Sequence, residues 1–493
     1  MSLVIFIDAV IVATLVFISV RKGVEEALPY WAFFAVLLPQ EARISLAGAF
    51  DLSSTRLALV TLFALFLMYR PKIGPRQLPL KNHIWVHVGW AMFSTVFSIV
   101  FTASVKQLLA QVLEYYLLYY ILINAITNVG TITKIMYAMV IAMAVCSVLG
   151  LLEIYSHWTV VSIFPTELQK NYGASALYAE NFDRGVRARS TFPHPIHFGG
   201  ALAMTIPFTL YLVSTSSAMS RKVWLNVALL LMFWALYKTG SRGPWIAAAT
   251  AIGILAVAAE PRIRKRIFAG VALAGLLLVC RPGILETLVN MYLATMDTNS
   301  MMGSSFEYRP VLFHTVTKTL NSDIGRGFLG FGLESFRDKG LILEMPGIET
   351  HRWFTCDSTW ILFAYESGYV GLIILGSLLL RPAAMAYRSF RRLSKPDRHF
   401  SLIALSSLVS FYVVMISVSI YGWGQNGYML WTVISVSIAY TLLKTADADD
   451  CETSIPNDEI DSGSELKNEF ALAGDQDRWF LQMVNQSDQT EAD

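Results

Sequence analysis

The 493-residue chain is 55% hydrophobic and 15% charged, with a net charge of +2 and a mean hydropathy of +0.51. A soluble domain of this size is richer in charge, and the positive residues lie in short loops, so nothing in the charge balance points to a nucleic-acid partner. The four scattered cysteines have no pair at metal-ligand or redox spacing, which argues against a disulfide framework.

Apolar runs of about twenty residues recur, long enough to cross a bilayer as helices. Lipid offers the backbone no hydrogen-bond partner, so helices are the expected spanning form. The predicted fold is an all-α polytopic membrane protein with about 12–13 transmembrane helices and a large helical periplasmic loop. The expected spans cover 3–20, 54–69, 84–104, 108–128, 132–156, 196–213, 223–237, 245–259, 267–280, 359–380, 402–421 and 427–443. No cleavage site follows the first run, which is read as a retained span. The run 30–50 breaks at Gln40, Glu41 and Arg43 and is either a further span or a re-entrant or interfacial segment.

In chain order the predicted blocks are N-terminal helices (1–156), an outward loop (157–195), helices with an S-R-G motif (196–282), a large outward loop (283–356), C-terminal helices (357–444) and a tail (445–493). Basic clusters at Arg70/Lys72/Arg76, Arg221/Lys222, Arg262/Arg264/Lys265/Arg266 and Arg388/Arg391/Arg392 fall on one side, assigned to the cytoplasm. The tail carries fourteen acidic residues between 447 and 493 and is expected to be disordered and cytoplasmic.

The outward segments hold the groups suited to chemistry. Residues 238–245 read KTGSRGPW. Ser241 can cap the next helix and Pro244 suits its first turn. A helix start favours phosphate, and Arg242 adds a planar cationic fork. Lys238 and Ser241 are then substrate contacts; the plainer reading is that Arg242 snorkels to headgroups. In the large loop, Pro310 suits a helix start and places Arg309 at its head, with His314 one turn along.

Gly325, Gly327 and Gly330 spell G-x-G-x-x-G, but with no strand before them they turn the chain rather than cradle a dinucleotide, and Arg326 beside them is a candidate third cation. Arg187, Arg189, His194 and His197 cluster where the first outward loop re-enters the membrane. Arg189 is the candidate phosphate or sugar contact, and Pro195 between the histidines argues against metal. Asp357 opens an apolar run as helix cap or as general base for a sugar hydroxyl, with His351 a second candidate base.

These motifs, in this order, resemble the O-antigen ligase and polymerase superfamily. Ser358 followed by nine residues, Gly368 and Gly371 match the closing motif of the ligase form, with Asp357 where that form has histidine. Arg242 falls on the family's S-R-G arginine and Arg309 on its loop arginine. The resemblance implies glycosyl transfer at the periplasmic face of the bacterial inner membrane, without metal, cofactor or nucleotide sugar. The implied donor is an undecaprenyl-pyrophosphate-linked oligosaccharide. A flippase and a chain-length regulator are the implied partners. The aspartate tilts the expectation toward a polymerase of exopolysaccharide or O-antigen; the alternatives are a ligase acting on lipid A core and, in another class, a transporter of lipid-linked oligosaccharide.

Overall fold

In the computed structural model of the chain, the described residues are 2–46, 50–69, 78–164, 179–181, 185–296, 301–344, 351–395, 397–422 and 424–453. The chain divides into two units, Met1–Leu443 and Lys444–Asp493. The expected disorder of the acidic tail falls, beyond residue 453, outside the described residues.

The first unit is a helical bundle. Among the described residues, eight helices are long and apolar enough to cross a membrane, and Ser54–Met68 and Arg242–Ala258 are apolar but shorter. Pro261–Cys280, which covers the expected span 267–280, is not one of the eight; Arg262, Arg264, Lys265 and Arg266 load its start with charge. The candidate span 30–50 does not form one helix: Val24–Leu37 ends first, and Arg43–Leu46 then pairs with Phe50–Ser53 as an antiparallel hairpin. Gln40, Glu41 and Arg43, the residues that interrupt the hydropathy, lie at that change of structure.

The expected boundary near 104–108 also moves. Lys81–Val96 stops, and a new helix starts at Phe101, passes a π turn at Val112–Tyr116 and ends at Ala125. At the centre, Pro195–Thr215 packs on Arg242–Ala258 and Arg398–Ser417, and Thr359–Arg392 packs on Arg398–Ser417. Small residues permit these approaches. A Cβ on Gly199 would lie 2.7 Å from Pro244 Cβ, and one on Gly243 would lie 2.1 Å from Ser417 Oγ.

The glycine-rich segment after Arg326 has a structural task. Thr359–Arg392 is broken at Gly368 (φ 70°, ψ 179°), which removes the intrahelical partners of nearby carbonyls. Phe331 N–H donates to Tyr365 O (3.0 Å) and Gly332 N–H to Glu366 O (2.8 Å), so the segment satisfies the break. A Cβ on Gly368 would sit 2.1 Å from Phe328 O, and one on Gly330 would sit 2.4 Å from the Glu366 backbone. The other break, after Val96, holds the segment from the far side: Ile99 N–H donates to Phe331 O (3.0 Å) and Ser94 Oγ to Leu329 O (2.7 Å). Two interrupted helices and one glycine-rich segment thus complete each other's hydrogen bonds.

Candidate active site

Three helix ends meet beside a cavity of about 1230 Å³. Arg242 opens the helix Arg242–Ala258, with Ser241 as its cap residue. Ser358 caps Thr359–Arg392 by accepting from Ile361 N–H, so the cap is Ser358 and Asp357 is left for other work. Thr359 N–H and Oγ1 both donate to Val418 O (3.2 and 2.9 Å), tying this helix start to the end of Arg398–Ser417.

Arg309, Asp357 and Arg242 all line this cavity. Arg309 Nη2 lies 3.6 Å from Asp357 Oδ2, with side chains 29% and 34% exposed, and donates to Ser417 O at 3.3 Å. Each is therefore anchored yet open to a ligand. Arg242 and Arg309 are near enough to repel one another. Two guanidinium groups on one cavity wall form a cationic surface of the kind that matches phosphate oxygens. Asp357 feels burial, which raises its pKa above the ordinary carboxylate value, and Arg309, which opposes the rise. The net direction is upward, which makes it a stronger base than a solvated aspartate. Next to it, burial also pushes up the Cys356 thiol and the Tyr308 hydroxyl, and both remain neutral.

Arg309 is not at a helix head. The helix runs Met301–Asn321 with Pro310 inside it. Tyr308, Leu312, Val316 and Leu320 form a buried stripe at helical spacing, and that packing outweighs the roughly 3 kcal/mol cost of an internal proline. Arg309 thus acts as a cation placed by the helix side, without the dipole of an N-terminus. His314 is exposed and does not line the cavity.

Several other expected contacts are placed elsewhere. Arg189 turns into the protein: its Nε lies 3.6 Å from Glu153 Oε1, and Glu153 Oε2 accepts from Arg189 N–H and Ser190 N–H at 2.9 Å each. Both side chains are buried, so Arg189 secures the loop and does not line the cavity. Arg187 does line it. Its Nε donates to Thr239 O (2.8 Å) and its Nη2 to Ser241 Oγ (2.6 Å). Ser241 Oγ in turn donates to Thr239 O at 3.1 Å, so it braces the S-R-G turn instead of capping the helix with its side chain.

Lys238 lies over the rings of Tyr155, Trp234 and Tyr237 and does not reach the cavity. Arg326 donates to Phe97 O (3.1 Å) and Gly330 O (3.2 Å), which makes it a brace of the glycine segment. His351 pairs with Leu343 in a short hairpin and is not among the cavity-lining residues. His194 and His197 do line the cavity; among the described residues no group of three or more His, Cys, Asp or Glu could hold a metal.

The fold is thus a multi-pass helical membrane protein that gathers guanidinium groups and carboxylates in a single cavity at its helix ends. Residues 227–376 match the family described as O-antigen ligase, a range that includes Arg242, Arg309, Asp357, Gly368 and Gly371. This domain supports a place in the O-antigen ligase/polymerase superfamily and implies a membrane enzyme of the glycosyltransferase type. The search of curated proteins gave no match.

Proposed function

We propose that the protein is a bacterial polymerase of exopolysaccharide or O-antigen, working at the periplasmic face of the inner membrane with its C-terminus in the cytoplasm. It transfers a glycan from undecaprenyl pyrophosphate to a sugar hydroxyl of another lipid-linked repeat unit. The hydroxyl oxygen attacks the anomeric carbon of the donor sugar. The bond from that carbon to the phosphate oxygen breaks, and its electron pair leaves with the pyrophosphate. The hydroxyl proton passes to the Asp357 carboxylate. Arg242 and Arg309 hold the pyrophosphate, whose negative charge grows as the bond breaks, so they stabilise the transition state more than the ground state. Neither a nucleotide sugar nor a metal takes part in this scheme, and a flippase and a chain-length regulator are its working partners.

The observation that carries this reading is the convergence of Arg242, Arg309 and Asp357 on one cavity, from three elements distant in sequence. The experiment is to give purified protein an undecaprenyl-pyrophosphate-linked repeat unit and lipid A core. Longer lipid-linked chains support the polymerase. Glycan on lipid A core makes the protein a ligase. Unchanged substrate with movement across a vesicle membrane makes it a transporter and defeats the reading.

A further inference from the structure

Another part of the cavity wall comes from helices that precede the matched family domain. Gln107, Gln111, Glu114 and Tyr115 line it from the segment Phe101–Ala125, at the spacing of one helical face, and Gln40 and Arg56 join them. Polar groups on an apolar helix are costly and persist where they line an aqueous space or do chemistry.

Two features point to a ligand. Gln111 is 3% exposed, lines the cavity, and its Oε1 accepts no hydrogen bond from the protein. A buried acceptor without a partner is costly, and a hydroxyl seated against this wall can supply the donor. Beside it, Glu114 is 7% exposed and takes Arg56 Nε at 2.6 Å, so a charged acceptor and a charged donor stand together. Such a pair complements adjacent hydroxyl groups, each of which both donates and accepts. The π turn Val112–Tyr116 falls at Glu114, and turns of this kind recur where a helix re-aims side chains for function.

We propose that this part of the cavity is a saccharide subsite, in which Gln111, Gln107 and the Arg56–Glu114 pair bind hydroxyl groups of the substrate glycan and so set which glycan is accepted. It rests on the transfer reading above, because it completes the same cavity. A polyprenyl chain offers Gln111 no donor and would strip water from the ion pair. Pyrophosphate would face the Glu114 carboxylate. A glycan meets neither penalty.

The test uses the full-length protein in lipid nanodiscs and three probes: undecaprenyl pyrophosphate, the lipid-linked repeat unit extracted from producing cells, and the oligosaccharide released from it. Gln111→Leu and Gln107→Leu are expected to bind undecaprenyl pyrophosphate within about twofold of wild type and to lose about 5–10-fold affinity for both sugar-bearing probes, the effect of one lost hydrogen bond. Retained binding of undecaprenyl pyrophosphate also shows that the variants are folded. Unchanged affinity for the sugar-bearing probes overturns the subsite. So does an equal loss for all three probes, or no binding of the sugar-bearing probes by wild type. If wild type fails to bind undecaprenyl pyrophosphate while the oligosaccharide effect holds, the transfer reading fails and the saccharide subsite stands.

Discussion

Arg309 and Asp357 face each other at 3.6 Å, one on the side of the helix Met301–Asn321 and the other just ahead of Thr359–Arg392. The contact places a permanent cation against a base. Arg309 restrains the rise in Asp357 basicity that burial causes.

Removing either cation should remove the chemistry. Arg242→Ala and Arg309→Ala are each expected to lower turnover by about 10²–10³-fold, the usual effect of deleting one transition-state donor. Lysine at either position keeps the charge and loses the two-pronged geometry, so it should fall between alanine and wild type. Polymer length in cells and turnover of a lipid-linked repeat give the measurements, with membrane abundance as control. Full-length polymer from both alanine variants would end the clamp proposal.

Asp357 makes a pH prediction. As a base it works only when ionised, and its pKa lies above the ordinary 3.8. Activity should therefore fall as pH drops through that raised value. Arg309→Ala removes the opposing influence and should move the residual acid limb to higher pH. Stability runs the other way. Between 3.8 and the raised folded value the native protein keeps a proton that the unfolded chain has lost, so ionisation of Asp357 lowers stability as pH rises through this window. Asp357→Asn should abolish both dependences. A pH–rate profile and thermal unfolding at several pH values check them; an acid limb unmoved in Arg309→Ala would remove Asp357 from the role of base.

The buried partner of Arg189 gives a contrasting case. Glu153→Ala leaves Arg189 charged, buried and without its carboxylate, and strips the acceptor from two backbone N–H groups. The expected loss is about 3–5 kcal/mol of stability. It should appear as a lower melting temperature and less protein in the membrane, while the folded fraction turns over near the wild-type rate. Normal stability with lost turnover would place this pair in the chemistry instead.

Gly368 tests the helix break. At φ 70° an alanine is strained, and its Cβ would strike Phe328 O. Gly368→Ala should undock the glycine segment, shift the Thr359 helix start and abolish transfer, with total helicity by circular dichroism nearly unchanged. Wild-type activity in this variant would show that the break can straighten without consequence.

The motif residues were legible because their signals are local: arginine between glycines at a helix start, and a carboxylate entering an apolar run. Their neighbours were not. Arg187 and Arg189 sit one residue apart in the same loop, and only Glu153, on the helix Val129–Ser156, decides that Arg189 turns inward while Arg187 braces the S-R-G turn. Lys238 reads as a substrate contact in the sequence, whereas in the fold it lies over three aromatic rings. Pro310 signalled a helix start by its chemistry, and tertiary packing of the stripe around it overrode that preference. The glutamines at 107 and 111 carried a readable sign, polar groups one turn apart in an apolar run.

Hydropathy and residue type alone determined that this chain is a multi-span helical membrane protein with an arginine at a helix start in the S-R-G motif, a second arginine in a polar loop and a carboxylate at the mouth of a helix. Each of those follows from a few consecutive residues and the solvent they meet. Which cations share a cavity, where helices break, and which polar faces line the space were decided only by tertiary structure. These depend on contacts between segments hundreds of residues apart, and such contacts leave no periodic or compositional trace in any one stretch.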